Sequence, residues 1–145
     1  MNLKIYCDGG AIGNPGPAAV GVVIQDEKGK VLTQFGKPIG HATNNIAEYM
    51  GVIEALKCLN VRGSILRQSS GQGFGARGQR VDFYLDSRLV VNQLNGVFKV
   101  KNPKLRELVL KIRNLEQEVG AEIFYHYIPR EKNIAHHSVE EGFRL

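Results

Sequence analysis

Three β-patterned runs in succession at the start of the chain constrain its fold more than any other feature of the sequence. Apolar and polar residues alternate over residues 3–8, and residues 18–24 are apolar and rich in β-branched side chains. Residues 31–35 resume the strand pattern after a turn at residues 26–29. Short runs of this kind separated by turn residues predict a three-stranded antiparallel meander.

Helical and strand patterns alternate after the meander. Apolar residues recur every three to four positions from Ile46 to Leu59, which predicts a helix, and Thr43-Asn44-Asn45 before it are residues suited to capping. The later predicted elements are a strand at 81–86, helices at 87–94 and 103–119, a strand at 121–128 and a short helix after Asn133. The predicted fold class is α/β: a five-stranded mixed sheet with the element order β-β-β-α-β-α-α-β-α and helices on both faces. The helix before the fourth strand can act as a crossover that makes this strand parallel to a neighbour.

Size and composition indicate one globular domain over residues 1–145. The chain is 43% hydrophobic and 23% charged, and it contains no apolar run of about 18 residues that could span a membrane. The first strand begins directly after Met1 and contains Lys4 and Asp8, so we expect no signal peptide and a cytoplasmic location. Cys7 and Cys58 have no metal or redox spacing and are expected to be buried thiols. The net charge of +5 allows a polyanionic partner, and we expect the chain to act as a monomer.

Three acidic residues stand at positions where separate elements can bring them together. Asp8 ends the first predicted strand and Asp86 ends the fourth, so parallel strands would place both at one edge of the sheet. Glu48 lies near the beginning of the helix that must run back to feed the fourth strand. Three adjacent carboxylates repel one another without a cation, and an all-oxygen cluster prefers Mg²⁺ or Mn²⁺. The glycine-rich stretch after Asp8 would hold this carboxylate at the strand end with open backbone beside it.

Four ordered motifs resemble those of type I ribonuclease H, in particular the short archaeal and bacterial forms without a basic handle. The motifs are Asp8-Gly9 with Asn14-Pro15-Gly16, TNNIAEY at 43–49, LDSRLVV at 85–91 and YIPREKN at 127–133. The resemblance implies an endonuclease that cuts the RNA strand of RNA/DNA hybrids with two metal ions, Mg²⁺ or Mn²⁺. It implies that Asp8 bridges the two ions, and that Glu48 and Asp86 each hold one or the other.

The resemblance also implies which residues contact the hybrid. Gly9 and the loop up to Asn14 would lie along the RNA strand, where small residues can approach 2′-hydroxyl groups. Asn44 and Asn45 match positions that contact RNA or the minor groove, and Thr43 matches one that holds a DNA phosphate. The remaining expected substrate contacts are Ser87, which we also expect to cap a helix, Lys99 with Lys101 on the DNA phosphates, and Arg130 on a phosphate.

The chain departs from the family pattern at the fourth acidic position. The family motif N-x-x-A-D expects an aspartate four residues after Asn133, and His137 stands there. Three outcomes are open: His137 binds the second ion, for which Mn²⁺ would be better suited than Mg²⁺; Glu140 or Glu141 replaces it from the same helix; or the second site is weak. We expect activity that is retained but reduced, and we expect His136 to be a surface residue. The alternatives are a hybrid-binding module without turnover and a different nuclease of the same superfamily.

Residues 63–79 form a predicted insertion rich in glycine, serine and glutamine. No acidic residue lies between Lys57 and Val81, whereas several arginines do. The segment is interpreted as a flexible, solvated insertion, or alternatively as a basic arm that gathers nucleic acid. The segment precedes the strand that begins at Val81, and Asp86 lies at the far end of that strand, roughly 16 Å from Val81. An arm in this segment is therefore not expected to touch the scissile bond.

Overall fold

The computed structural model describes residues 2–70 and 78–145, and for residues 61–70 it describes the backbone alone. Its elements are β1 (Leu3–Ala11), β2 (Gly16–Asp26), β3 (Val31–Ala42), α1 (Asn44–Ser70), β4 (Arg80–Leu85), α2 (Arg88–Leu94), α3 (Pro103–Val119), β5 (Glu122–Tyr127), a 3₁₀ turn (Arg130–Lys132) and α4 (His136–Phe143). The strands form one five-stranded sheet in the order β3-β2-β1-β4-β5. The predicted α/β class and element order are therefore confirmed. Within the described part of the chain, no helix has both the length and the apolar composition needed to cross a bilayer.

The register of the sheet brings the ends of β1 and β4 to one edge. β1 pairs with β2, and β2 with β3, in antiparallel fashion, as the predicted meander requires. β4 is parallel to both β1 and β5, and Tyr6 of β1 lies opposite Tyr84 of β4. Asp8 and Asp86 each follow this pair by two residues. β1 continues beyond Asp8 to Ala11, but only against β2, so the sheet opens between β1 and β4 beside Asp8.

The two faces of the sheet carry different helices. α1 and α3 cover the face that bears Cys7 and Val22, where they enclose the main hydrophobic core. α4 packs against β2 and β3 on the other face, the face of the paired residues Gly21 and Gly36. A Cβ atom on Gly36 would lie 1.9 Å from the Ser138 carbonyl oxygen, so only glycine allows this close approach. The predicted placement of helices on both faces is confirmed, and α4 is held close to the edge that bears Asp8.

α1 extends into the predicted insertion at residues 63–79. It continues through residues 63–70, beyond the helical pattern that ends near Leu59, and residues 71–77 lie outside the described residues. The interpretation of the segment as a solvated insertion or a basic arm stays a prediction. A single interior glycine costs a helix only about 1 kcal/mol, and the Ile65-Leu66-Arg67-Gln68 stretch that follows Gly63 can continue the helix. After residues 71–77, the Gly78 N–H donates to the Gly120 carbonyl oxygen at 3.0 Å, which connects the segment before β4 to the end of α3.

Candidate active site

Three carboxylates from separate elements meet at the open edge between β1 and β4. Asp8, Glu48 and Asp86 each offer one oxygen, and these three oxygens lie within 4.8 Å of one another. Asp8 is part of β1, Glu48 lies in the second turn of α1, and Asp86 directly follows β4. The structure therefore brings together the three acidic residues that the sequence analysis selected.

Two glycines allow α1 to lie against β1 at this point. A Cβ atom on Gly9 would lie 2.1 Å from the Ala47 carbonyl oxygen, and one on Gly51 would lie 2.9 Å from the Asp8 carbonyl oxygen. Any side chain at either position would push backbone away from backbone. The glycine after Asp8 thus does more than open a loop, because it also sets the distance between Asp8 and Glu48.

Asp8 and Glu48 hold their protons more tightly than usual when no cation is present. Burial, reinforced by the charge of Asp86, raises the pKa of Asp8 from 3.8 to about 6, although the Gly9 N–H that donates to Asp8 Oδ1 acts in the opposite direction. Burial also raises the pKa of Glu48 well above its usual value, and the charges of Asp8 and Asp86 add to this effect. In both cases burial is the larger cause, and the charge of the neighbouring carboxylates is the smaller one.

The donor set fits a hard divalent cation. Glu48 Oε2 is buried and has no hydrogen-bond partner among the described residues, which is costly unless a further group satisfies it. Carboxylate oxygens are the ligands that Mg²⁺ and Mn²⁺ prefer. A cation among the three carboxylates would satisfy this oxygen and remove the repulsion that raises the pKa values.

His136, and not His137, is the histidine that the structure places at the carboxylates. The Nδ1 atom of His136 lies 3.4 Å from Asp8 Oδ2 and its Nε2 atom lies 3.4 Å from Glu140 Oε1. The Nδ1 atom is buried and has no hydrogen-bond partner within the described part of the chain. His137 is exposed and does not line the cavity at the site. The structure therefore places His136, which was expected at the surface, beside Asp8, and it places His137, the expected ligand, outside the cavity.

The motif carries a signal that would have identified His136. Counting four residues from Asn133 assigns the position of the motif's aspartate to His137. If Ala135 is instead aligned with the alanine of N-x-x-A-D, that position falls on His136, and the segment between Asn133 and Ala135 is one residue shorter than in the motif. The structure agrees with the second alignment in that it places His136, and not His137, beside Asp8 and in the wall of the cavity. Of the two glutamates that the sequence left open, Glu140 lines the cavity and Glu141 does not.

A cavity of about 450 Å³ surrounds the carboxylates. Its walls include Gly9, Asn44 and Arg130 among the predicted substrate contacts, together with Phe143 of α4. The positive charge of Arg130 favours the ionised form of Glu48, against the burial that raises its pKa. Arg130 is exposed and so remains available to an anion that enters the cavity.

A second cavity, of about 310 Å³, lies where two helices begin. Thr43 Oγ1 accepts from the Ile46 N–H at the start of α1, and Asn102 Oδ1 accepts from the Lys104 and Leu105 N–H groups at the start of α3. The cavity residues are the predicted Asn14, Thr43 and Asn45, with Ile46, Asn102, Lys104 and Leu105. Helix N-termini and a lysine attract anions. Asn102 and Lys104 were not predicted as contacts, although Asn102 before Pro103 is a recognisable helix start.

Four predicted substrate contacts have structural partners of their own or lie outside the cavities. Asn44 Oδ1 accepts from the Ala11 N–H, and Asn14 Oδ1 accepts from the Asn44 N–H, so these asparagines join the loop after β1 to α1. Ser87 Oγ accepts from the Val90 N–H and caps α2, as predicted. Lys99 is exposed, and neither Ser87 nor Lys99 lines either cavity.

Comparisons with known proteins agree with this geometry. The family model for RNase H matches residues 1–141. The chain is 37% identical over 134 residues to the bifunctional protein Rv2228c of Mycobacterium tuberculosis, which covers 92% of this chain and 33% of the relative. It is also 37% identical over 113 residues to ribonuclease HI of Halobacterium salinarum, which covers 78% of this chain and 50% of the relative. The chain thus spans between a third and a half of the length of these relatives.

The fold of the chain is also similar to that of a solved structure. The crystal structure of LC11-RNase H1 in complex with an RNA/DNA hybrid superposes with a TM-score of 0.85 at 40% identity, over 98% of this chain and 96% of the other. Sequence and fold lead to the same assignment over almost the whole chain. The chain belongs to the ribonuclease H family.

Proposed function

We propose that this chain is an endoribonuclease that hydrolyses the RNA strand of RNA/DNA hybrids with the help of bound divalent cations. The observation that carries the proposal is the meeting of Asp8, Glu48 and Asp86 around a buried oxygen that lacks a partner among the described residues. The family membership supports the reaction, and the similarity to LC11-RNase H1, solved in complex with an RNA/DNA hybrid, supports the substrate.

Asp8, Glu48 and Asp86 would hold the cations, which we take to be two Mg²⁺ or Mn²⁺ ions. When bound, such ions supply an activated water and neutralise charge on the leaving oxygen. Asp8 lies close both to the other two carboxylates and to His136, which supports the proposal that it would hold two ions. His136 would contribute to the second position with Glu140 beside it. Imidazole nitrogen suits Mn²⁺ better than Mg²⁺, and the proposal therefore includes reduced activity with Mg²⁺.

The two cavities would bind the two strands of the hybrid. The cavity at Thr43, Asn102 and Lys104 combines two helix N-termini with a positive charge, which suits a phosphate of the DNA strand. The backbone at Gly9 and Gly10 lines the carboxylate cavity, where small residues leave room for the 2′-hydroxyl groups of RNA. Arg130 would bind a phosphate at the same cavity. Asn14 and Asn45 would contact the hybrid at the first of these cavities and Asn44 at the carboxylate cavity, and Ser87 and Lys99 would contact it outside both.

The proposal extends to the form in which the protein acts. The three carboxylates that would hold the cations all come from one chain, so the proposal includes action as a monomer. Cys7 is a buried thiol without a disulfide, as is usual in a reducing compartment such as the cytoplasm. Analytical ultracentrifugation of the protein with and without hybrid would test the first point, since a dimer in both states would contradict it.

A cleavage assay tests the proposed reaction. Labelled RNA/DNA hybrid is incubated with the protein in Mg²⁺ and then in Mn²⁺, beside the variants Asp8→Asn and Asp82→Asn. Asp82 is the matched control, because it is an aspartate of the same sheet that pairs with Arg80 and lines neither cavity. We expect the RNA strand of the hybrid to be cut by the wild type and by Asp82→Asn, and not by Asp8→Asn.

Other results would support other functions. Tight binding of hybrid without product in either ion would indicate a binding module, which the histidine at the fourth position makes the second candidate. Cleavage of RNA duplexes or of DNA would indicate a different nuclease of the same superfamily. Equal activity of Asp8→Asn and the wild type would refute the assignment of the site.

A further inference from the structure

Asn133 lies behind the carboxylates, in the connection between β5 and α4, and is only 3% exposed. Its side-chain Nδ2 donates to the Cys7 carbonyl oxygen at 2.8 Å and to Asp86 Oδ2 at 3.0 Å. Its Oδ1 accepts from the Ala135 N–H at 3.2 Å. One buried amide thus joins the residue before Asp8, the carboxylate of Asp86 and the residue before His136.

Only one orientation of this amide satisfies its surroundings. With the amide reversed, its oxygen would face the Cys7 carbonyl and the Asp86 carboxylate, and its NH₂ group would face the Ala135 N–H. An aspartate could not donate to either acceptor, and an apolar residue would leave all three groups without this partner. An asparagine side chain is the chemical group that fits two acceptors on one side and one donor on the other.

We propose that Asn133 is a positioning residue for the cation site: it fixes the orientation of the Asp86 carboxylate and the separation of the three elements that carry Asp8, Asp86 and His136. The inference rests on the proposed function, because it concerns cation binding at the same carboxylates. A carboxylate held by a hydrogen bond is already oriented when the cation arrives, whereas a free one must be ordered on binding. Groups that orient metal ligands in this way typically change metal affinity by about 10- to 100-fold when they are removed.

If Asn133 only stabilised the fold, its replacement would affect Mn²⁺ binding no more than replacement of a similar asparagine elsewhere. Asn95 is the matched control for this comparison. Its Nδ2 donates to the Tyr125 carbonyl oxygen at 3.1 Å, so it also joins a helix end to a strand. Asn95 follows α2 and lines neither cavity. Replacing either asparagine by alanine removes an amide that bonds a strand carbonyl, but only Asn133→Ala frees Asp86.

The test is a calorimetric titration of Mn²⁺ into the full chain without nucleic acid, for the wild type, Asn133→Ala, Asn133→Ser and Asn95→Ala. Asn133→Ala should bind Mn²⁺ at least about tenfold more weakly than the wild type, and Asn95→Ala should bind it equally well. Asn133→Ser retains a single donor, so its Mn²⁺ affinity should lie between those of the wild type and Asn133→Ala. It also provides a test if the alanine variant does not fold. Hybrid cleavage by Asn133→Ala should also recover towards the wild-type rate as the Mn²⁺ concentration is raised.

The outcomes separate the inference from the proposed function. If the wild type binds no Mn²⁺, the proposed function fails and the inference fails with it. If the wild type binds Mn²⁺ and both Asn133 variants bind it equally well, the positioning role is overturned while the proposed function stands. Equal weakening in Asn133→Ala and Asn95→Ala would show general destabilisation, and it too would overturn the positioning role.

Discussion

Replacement of Asp8 by asparagine should abolish cleavage and, without a cation, make the protein more stable. Burial, with the charge of Asp86 second, raises the pKa of Asp8 from 3.8 to about 6. An acid whose pKa is raised by folding holds its proton more tightly in the folded state. Below about pH 4 Asp8 is protonated in both states, and its ionisation has no effect on stability. Between pH 4 and 6 Asp8 ionises in the unfolded chain before it ionises in the folded protein, so the free energy of unfolding falls as the pH rises.

The size of the effect follows from the shift. A rise of about two pKa units, at about 1.4 kcal/mol each, lowers the free energy of unfolding by about 3 kcal/mol above pH 6. Asparagine has nearly the same shape, and its oxygen can still accept from the Gly9 N–H that now donates to Asp8 at 2.9 Å. Asp8→Asn should therefore be about 2–3 kcal/mol more stable than the wild type at pH 7.5 and close to it near pH 4.

Urea unfolding in EDTA, followed by circular dichroism at pH 4 and pH 7.5, measures this difference. Asp82→Asn is the control of opposite sign: although partial burial acts upward, hydrogen bonds from Arg80 and His126 hold the pKa of Asp82 below its usual 3.8. Asp82→Asn should be less stable than the wild type at pH 7.5. An Asp8→Asn variant that is no more stable at pH 7.5, or that gains equally at both pH values, would refute the argument.

Three further predictions concern the site and its support. His136→Ala should lower hybrid cleavage by about tenfold and His137→Ala should leave it unchanged, so a loss confined to His137→Ala would restore the assignment made from sequence spacing. Gly36→Ala should lower the free energy of unfolding by about 2 kcal/mol or more in urea, because the new Cβ would lie 1.9 Å from the Ser138 oxygen. Gly10→Ala, with nothing within 4 Å of its Cβ, should change it by less than about 0.5 kcal/mol, and equal losses would contradict the packing described for α4. Calorimetry of the wild type should show Mn²⁺ affinity falling as the pH drops through about 6, where a proton begins to occupy Asp8, and constant affinity between pH 5 and 8 would contradict this.

The elements that position the site could be predicted because their patterns are local and their order restricts the topology. A crossover helix between a meander and the fourth strand allows that strand to lie parallel to β1, and parallel strands deliver Asp8 and Asp86 to the same edge. Glu48 follows because its helix begins at that edge. The carboxylate cluster could therefore be predicted from the order and direction of the elements, without knowledge of the side-chain contacts.

The features that could not be predicted from the sequence have separate causes. The end of α1 was placed too early because the weight given to Gly63 was larger than its helix penalty. His136 was missed because counting residues from Asn133 selects His137, whereas the fold brings His136 to within 3.4 Å of Asp8. Asn102 and Lys104 join Thr43 only because α3 begins beside α1, and no local pattern reports that contact.

The position of a bound cation tests the central claim most directly. Crystals of the protein soaked in Mn²⁺ and measured by anomalous diffraction should show a manganese peak within coordination distance of Asp8, Glu48 and Asp86, and none at these residues in crystals of Asp8→Asn. Strong anomalous peaks elsewhere on the protein, with the three carboxylates bonded only to water, would contradict the claim that this edge of the sheet is built to hold the catalytic ions.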